Sequence, residues 1–204
     1  MKTIDNIKEL NVKKIKELDP KEYICLLSHA LRLGALYKAK FFMWLHNANY
    51  ELISLDDDEA IEHFIKELLS VHKKALTEAD ESNLDFLDNV FFLVFKETNQ
   101  FSEADCISLS LVMLAYVSFK ADLISNEEYL EIRDLLVPYK VMISQCKVKS
   151  EDLFKSYLSK ISESDKVLLL AKLGKGIESE LPNPELVKEG FKEITYDEKS
   201  WESA

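Results

Sequence analysis

Apolar residues recur with the 3.6-residue period of a helix along most of this chain, and capping residues divide the pattern into separate helices. The first strong stripe runs Tyr23, Leu26, Leu27, Ala30, Leu31 and Gly34. It follows Asp19-Pro20, where aspartate suits the N-cap and proline the first helical position. A second helix is expected from Ala35 to Asn47, around Phe41, Phe42, Trp44 and Leu45. Asp56-Asp57-Asp58 supplies a cap and first-turn acids for a long helix with Ile61, Phe64, Ile65, Leu68, Leu69 and Val71 as its apolar positions.

The run from Val90 to Phe95 is rich in β-favouring residues, but its flanks favour a buried helix. From Ser102 to Phe119 the chain is apolar nearly all round, through Ile107, Leu109, Leu111, Val112, Leu114, Ala115 and Val117, which marks a central helix. Ser125-Asn126-Glu127-Glu128 forms a capping box for a helix that runs to Leu136 and stops at Pro138. Ser150-Glu151-Asp152 caps another, ending at Lys160. Lys166 to Ala171 is the one expected strand, closed by Gly174 and Gly176, so at most one short strand or hairpin lies near 166–176. Asn183-Pro184-Glu185 opens a last helix ending near Ile194. The expected fold class is therefore all-α. Residues 1–17 form an amphipathic arm or helix, 18–194 a single helical domain and 195–204 a frayed tail.

Composition agrees with packed helices. There are four glycines and four prolines in 204 residues, and Lys21 to Val137 holds no proline and only Gly34, which excludes an array of Gly-rich βαβ turns. At 47% hydrophobic residues a substantial core is expected. The net charge of −11 argues against nucleic acid or an anionic membrane as partner, since both call for a basic surface. Residues 1–16 depart from the rest, with Lys2, Lys8, Lys13, Lys14 and Lys16 against Asp5 and Glu9. Cys25, Cys106 and Cys146, odd in number and far apart, make neither a disulfide framework nor a CxxC metal site, which suits a reducing compartment. The first residues contain no apolar signal core, and no run reaches the ~18 apolar residues of a membrane span. A soluble cytoplasmic protein is expected.

Little of this chemistry stands out. His63 and His72, nine apart, lack the i, i+4 spacing of a chelating pair and are expected at the surface; His46 is expected at a helix end. Cys25 and Cys106 lie on apolar stripes and are expected in the core. Asp56-Asp57-Asp58 has the charge of a calcium loop without its glycine or distal glutamate.

Four blocks in order and spacing resemble the C-terminal half of 3-dehydroquinate synthase. Leu18-Asp19-Pro20-Lys21-Glu22-Tyr23 is similar to that domain's opening Leu-Pro-x-x-Glu-Phe, and Ala39-Lys40-Phe41-Phe42-Met43-Trp44-Leu45 to its Ala-Glu-Phe-Phe-Glu-Trp-Leu. Ala115-Tyr116-Val117-Ser118 and Leu123-Ile124-Ser125-Asn126-Glu127-Glu128-Tyr129 resemble Ala-Tyr-Leu-Ser and Gly-Leu-Leu-Ser-Glu-Glu-Glu. Val167-Leu168-Leu169-Leu170-Ala171-Lys172-Leu173-Gly174 resembles the family's strand and turn, Val-Leu-Leu-x-x-Ile-Gly. The resemblance spans about residues 18–194 and implies a multi-helix domain of that type.

The same resemblance implies a lost active site. The family holds zinc with one glutamate and two histidines, and the ion acts as a Lewis acid on substrate oxygens. Here the glutamate position falls at His29, the first histidine at Val90 and the second at Glu103. A lysine becomes Arg32, an asparagine Leu87 and another histidine Val94, while a Gly-Glu pair becomes Ala104-Asp105. Lys73 and Lys160 persist. The expected remnant cleft therefore comprises His29, Arg32, Lys73, Glu103, Asp105 and Lys160, with Val90, Leu93 and Val94 turned into core. The Gly-rich loop that cradles a dinucleotide belongs to the family's other half and has no counterpart in this sequence.

These substitutions point to a non-catalytic binding or regulatory protein with no cofactor, no metal and no catalytic residue. The alternative is a subunit of a metal- or NAD-dependent lyase completed by a separate nucleotide-binding chain. A rebuilt metal site would use His29 and Glu103 with Asp88 or Asp105. Without the nucleotide-binding half, an apolar face is expected to need a cover. Either the segment Ile4 to Leu18 supplies it, through Ile4, Ile7, Leu10, Val12, Ile15 and Leu18, or a homodimer or other protein partner docks at the former interdomain face.

Overall fold

A computed structural model of the protein describes residues 7–82, 89–162 and 166–195, with backbone alone for 79–82. Leu87, Asp88, Ile4 and the tail beyond Thr195, all named above, lie outside the described residues.

Helix α1 is Val12–Glu17, preceded by a 3-10 turn at Ile7–Glu9. Then follow α2 (Pro20–Tyr37), α3 (Ala39–Asn47), α4 (Asn49–Ser54), α5 (Asp58–Ser82), α6 (Val90–Glu97), α7 (Glu103–Lys120) and α8 (Asn126–Asp134). A 3-10 turn at Val137–Tyr139 leads to α9 (Ser150–Lys160), the strands β1 (Lys166–Lys172) and β2 (Lys175–Glu180), and α10 (Pro184–Ile194). The expected all-α class with one hairpin is observed. None of the described helices is long and apolar enough to cross a membrane.

The core is organised around α7, whose residues from Cys106 to Ser118 are all buried and which packs against α2, α6, α8, α10 and β1. A helix surrounded in this way has no polar face, so its three buried serines must find partners internally. Ser108 donates to the carbonyls of Met142 (2.6 Å) and Asp105 (3.1 Å), Ser110 to Ile107 (2.7 Å) and Ser118 to Leu114 (2.7 Å).

Most helix starts follow their caps. Asp19 accepts from the Lys21 N–H at 2.8 Å, Asn89 from Phe91 at 2.8 Å and Asn183 from Glu185 at 3.0 Å. Asp57 accepts from Ala60 at 3.0 Å, and both bonds of the Ser125/Glu128 capping box are present. Four boundaries correct the expectation. The second helix begins at Ala39, not Ala35, because Gly34 is not a helix end. It lies inside α2 where the Phe42 backbone would sit 3.0 Å from an added Cβ, so α3 folds back against α2 at that point. The capping-box helix ends at Asp134, and Pro138 falls within the following 3-10 turn. Ser150 is the first residue of α9 and not its cap, Lys149 standing at the N-cap with no side-chain bond. The hairpin extends past 176 to Glu180.

The hairpin is pinned at both ends of its pattern. Strands β1 and β2 are antiparallel with Leu168 opposite Glu178 and Leu170 opposite Gly176. The edge of β1 away from β2 is closed by side chains: the Leu170 N–H donates to Ser118 Oγ at 2.9 Å, and Asn89 Nδ2 donates to the Leu168 carbonyl at 3.5 Å. At the turn, Gly174 has φ +79° and donates to the Ala35 carbonyl at 2.7 Å.

The N-terminal segment folds back on the body, with Ile7 and Ile15 fully buried and α1 packed on α5. The single amphipathic helix expected from Ile4 to Leu18 is instead broken, the 3-10 turn ending at Glu9 and Asn11 capping α1 through the Lys14 N–H at 3.0 Å.

Candidate functional site: a buried basic corner beside an open cleft

Helix α2 carries His29 and Arg32 on its central turns, where both are buried, at 0% and 3% exposed. The His29 ring meets His72 of α5 edge-on, with centroids 6.0 Å apart. The guanidinium of Arg32 lies 5.6 Å from the centre of the Phe92 ring, and Lys96 Nζ lies 5.4 Å from the same ring, both within range of cation–π attraction. Burial holds His29 neutral, its pKa well below 6.5, and the nearby Arg32 and His72 add to the effect. His72 is lowered too, by burial and by Lys8 of the N-terminal segment. Four basic groups from three elements thus meet at one corner.

Glu103, in the first turn of α7, stands next to this corner. The Cys25 thiol is pushed up to about 11, chiefly by burial and then by Glu103, while Arg32 acts in the opposite sense. Cys106 is pushed up to about 12 by burial, Asp105 and Glu103. Glu103 is therefore close to both thiols, and neither thiol is a nucleophile at neutral pH. All three cysteines are free and buried, as expected of Cys25 and Cys106 as small core residues.

Of the six expected cleft residues, His29 and Arg32 share the buried corner, Glu103 stands beside it and Asp105 lines the adjoining cleft with Glu103, whereas Lys73 and Lys160 line neither. Asp105 is committed to structure: Oδ1 accepts the Met142 N–H at 2.9 Å and Oδ2 the Ser102 hydroxyl at 2.7 Å, tying α7 to the 140–148 loop. Lys160 pairs with Glu97 at 3.0 Å and fastens α9 to the end of α6. Lys73 is exposed on α5. Val94 is fully buried as expected, but Val90 and Leu93 are only half-buried, because α6 is short and its first turn faces partly outward.

His72 corrects the expectation of a surface histidine. It is half-buried, at i+4 from Leu68 on the margin of the buried stripe Leu68, Val71 and Ala75, a periodicity that would have placed it partly inward. His63 is exposed as expected and packs on Trp44, with ring centres 4.5 Å apart. The sequence also gave no sign of a cleft of about 740 Å³ where the first turns of α2 and α7 meet the 140–141 loop. Ile24, Cys25, Ala104 and Val141 line it, with Glu103 and Lys140 among its charged groups. A smaller cavity of about 290 Å³, lined by Phe92, Lys96 and Cys106, lies on the other side of Glu103.

The donor set does not fit zinc. The three positions that the resemblance assigns as ligands hold an imidazole, an isopropyl group and a carboxylate, and the imidazole is packed beside a guanidinium that repels a cation. Among the described residues no group of three His, Cys, Asp or Glu side chains is arranged to hold a metal ion.

No family model matches the sequence. No curated protein matches it either. Solved structures do match in shape. The 2-epi-5-epi-valiolone synthase ValA from Streptomyces hygroscopicus subsp. jinggangensis 5008, solved with NAD+ and Zn2+ bound, superposes with a TM-score of 0.69 over 91% of this chain and 52% of its own, at 8% identity. A 2-deoxy-scyllo-inosose synthase complexed with carbaglucose-6-phosphate, NAD+ and Co2+ gives a TM-score of 0.65 over 85% of this chain and 51% of its own, at 14% identity. The chain spans about half the length of these enzymes. At such identities the likeness concerns the fold alone, which is that of the helical C-terminal part of dehydroquinate synthase-like proteins.

Proposed function

We propose that this chain is a non-catalytic binding or regulatory protein built on the helical part of a dehydroquinate synthase-like enzyme. The observation that carries this reading is the state of His29. It occupies the position matched to the zinc-binding glutamate, yet it is wholly buried, neutral and packed against Arg32 and His72. A ligand position that has become core is poorly suited to meet a substrate, since a buried polar group is stable there only while its surroundings stay closed. Asp105 and Lys160 support the same reading, because both now serve to hold elements together. Three free, buried cysteines suit the cytoplasm.

The competing reading, a lyase subunit completed by a separate nucleotide-binding chain, draws on the cleft of about 740 Å³ beside Glu103. Titration calorimetry of the full chain with zinc and with NAD distinguishes the two. The expected result is no stoichiometric heat with either. A tight one-to-one response to zinc or to NAD would overturn the non-catalytic reading.

A further inference from the structure

We propose that the open cleft beside Glu103 is a docking groove for the chain's own residues 2–6, which lie outside the described residues, and that this segment sets access to the cleft. The proposal does not rest on the non-catalytic reading, because a cleft can be covered by its own chain in a binding protein and in an enzyme subunit alike.

The described chain begins within reach of the cleft. Ile7 is fully buried, and Lys8 lies close enough to His72 to disfavour its protonation. The His72 ring stands 6.0 Å from that of His29. Cys25 precedes His29 by four residues on α2, so the two share a face about 5–6 Å apart, and Cys25 lines the cleft. Five residues of extended backbone span about 17 Å, enough to run from Ile7 past His29 to Cys25.

The chemistry of the segment matches that path in order. From Ile7 the chain meets the basic corner of His29, Arg32 and His72 first and the cleft beyond it. Asp5 falls on the first stretch, where it faces positive charge. Lys2 falls on the second, where the lining carries Glu22, Glu103 and Asp105 against Lys21 and Lys140, a local excess of acid. Ile4 lies between them, level with the apolar floor of Ile24, Cys25, Ala104 and Val141. The opposite chain direction would set Lys2 at the basic corner. Attachment favours this occupant as well. Residues 7–17 are anchored on the body, with Ile15 fully buried and Lys16 paired with Asp58 at 2.6 Å. A segment tethered so closely acts at an effective concentration on the order of millimolar, ahead of a dilute competitor.

Cys25 supplies the readout, being 8% exposed in the cleft wall, while Cys146 is 0% exposed and lines no part of the cleft. The full chain and its Lys2→Glu and Ile4→Asp variants would be labelled with a maleimide and mapped by peptide mass. We expect Cys25 to label about tenfold faster in both variants, with Cys146 unchanged. Carbodiimide treatment of the wild-type chain should join Lys2 to Glu22 or Glu103 through an amide. Unchanged Cys25 labelling in either variant overturns the proposal, as does a wild-type chain in which Lys2 links to neither acid. An equal rise at Cys146 also counts against it, since that marks general loosening and not an uncovered cleft. Neither readout involves zinc or NAD, so the result is separate from that of the calorimetry.

Discussion

The imidazole of His29 lies inside the protein, where burial, Arg32 and His72 keep it neutral. In the unfolded chain a histidine protonates near pH 6.5, so as the pH falls the unfolded state takes up the proton first. The stability contributed by a neutral His29 is complete above that pH and is lost progressively below it, with a slope of at most about 1.4 kcal/mol per pH unit. His72 acts in the same direction. Urea midpoints should therefore stay level from about pH 8 to 7 and fall from about 6.5 to 5, with a shallower fall in His29→Gln; an unchanged slope in that variant would place the proton elsewhere. Asp105 makes a different case. Replacing it with alanine strands the Met142 N–H and should cost about 1.5–3 kcal/mol, whereas Asp105→Asn, which keeps an acceptor, should lose less. Equal melting temperatures for wild type and Asp105→Ala would show that the bond is not formed. Residue identity made these side chains legible as polar groups on apolar helices. Whether each became core, bracket or surface depended on neighbours distant in sequence.

Caps, being local, were the most readable elements: Asp19, Ser125 and Asn183 each bond an N–H two or three residues ahead. The α2–α3 corner was not readable, because it is set by how closely Phe42 approaches Gly34. The hairpin shows the same dependence. Its first strand was evident from Lys166 to Ala171, but β2 alternates weakly and is held by contacts with β1 and α2. Ser118→Ala should leave the Leu170 N–H facing the apolar side of α7 and cost about 1–3 kcal/mol in thermal unfolding. Gly174→Ala should be harsher, above about 3 kcal/mol, since the new Cβ would sit 2.2 Å from Ala39 N at a φ of +79°. A variant that melts with the wild type would mean that the turn does not rest on α3.

Across the whole molecule the elements differ in what holds them. Helix α7 is enclosed by α2, α6, α8, α10 and β1, whereas α1 touches the body mainly through α5. Hydrogen exchange should therefore find the amides of Leu109 to Val117 last to exchange, near the global unfolding free energy, and those of 15–17 far earlier; comparable protection in both would mean that the N-terminal segment unfolds only with the core. Taken alone, the sequence determined the all-α class, the order of the main helices and the position of the first strand. Helical period, capping chemistry and residue identity are local properties, and they survive without knowledge of distant contacts. The tertiary structure decided that His72 turns inward to meet His29, that Asp105 and Lys160 serve as brackets, that Val90 stays half-exposed, and that residues 7–17 seat on α5. Each of these rests on the approach of segments tens of residues apart, which is fixed by packing around α7 and not by any pattern along the chain.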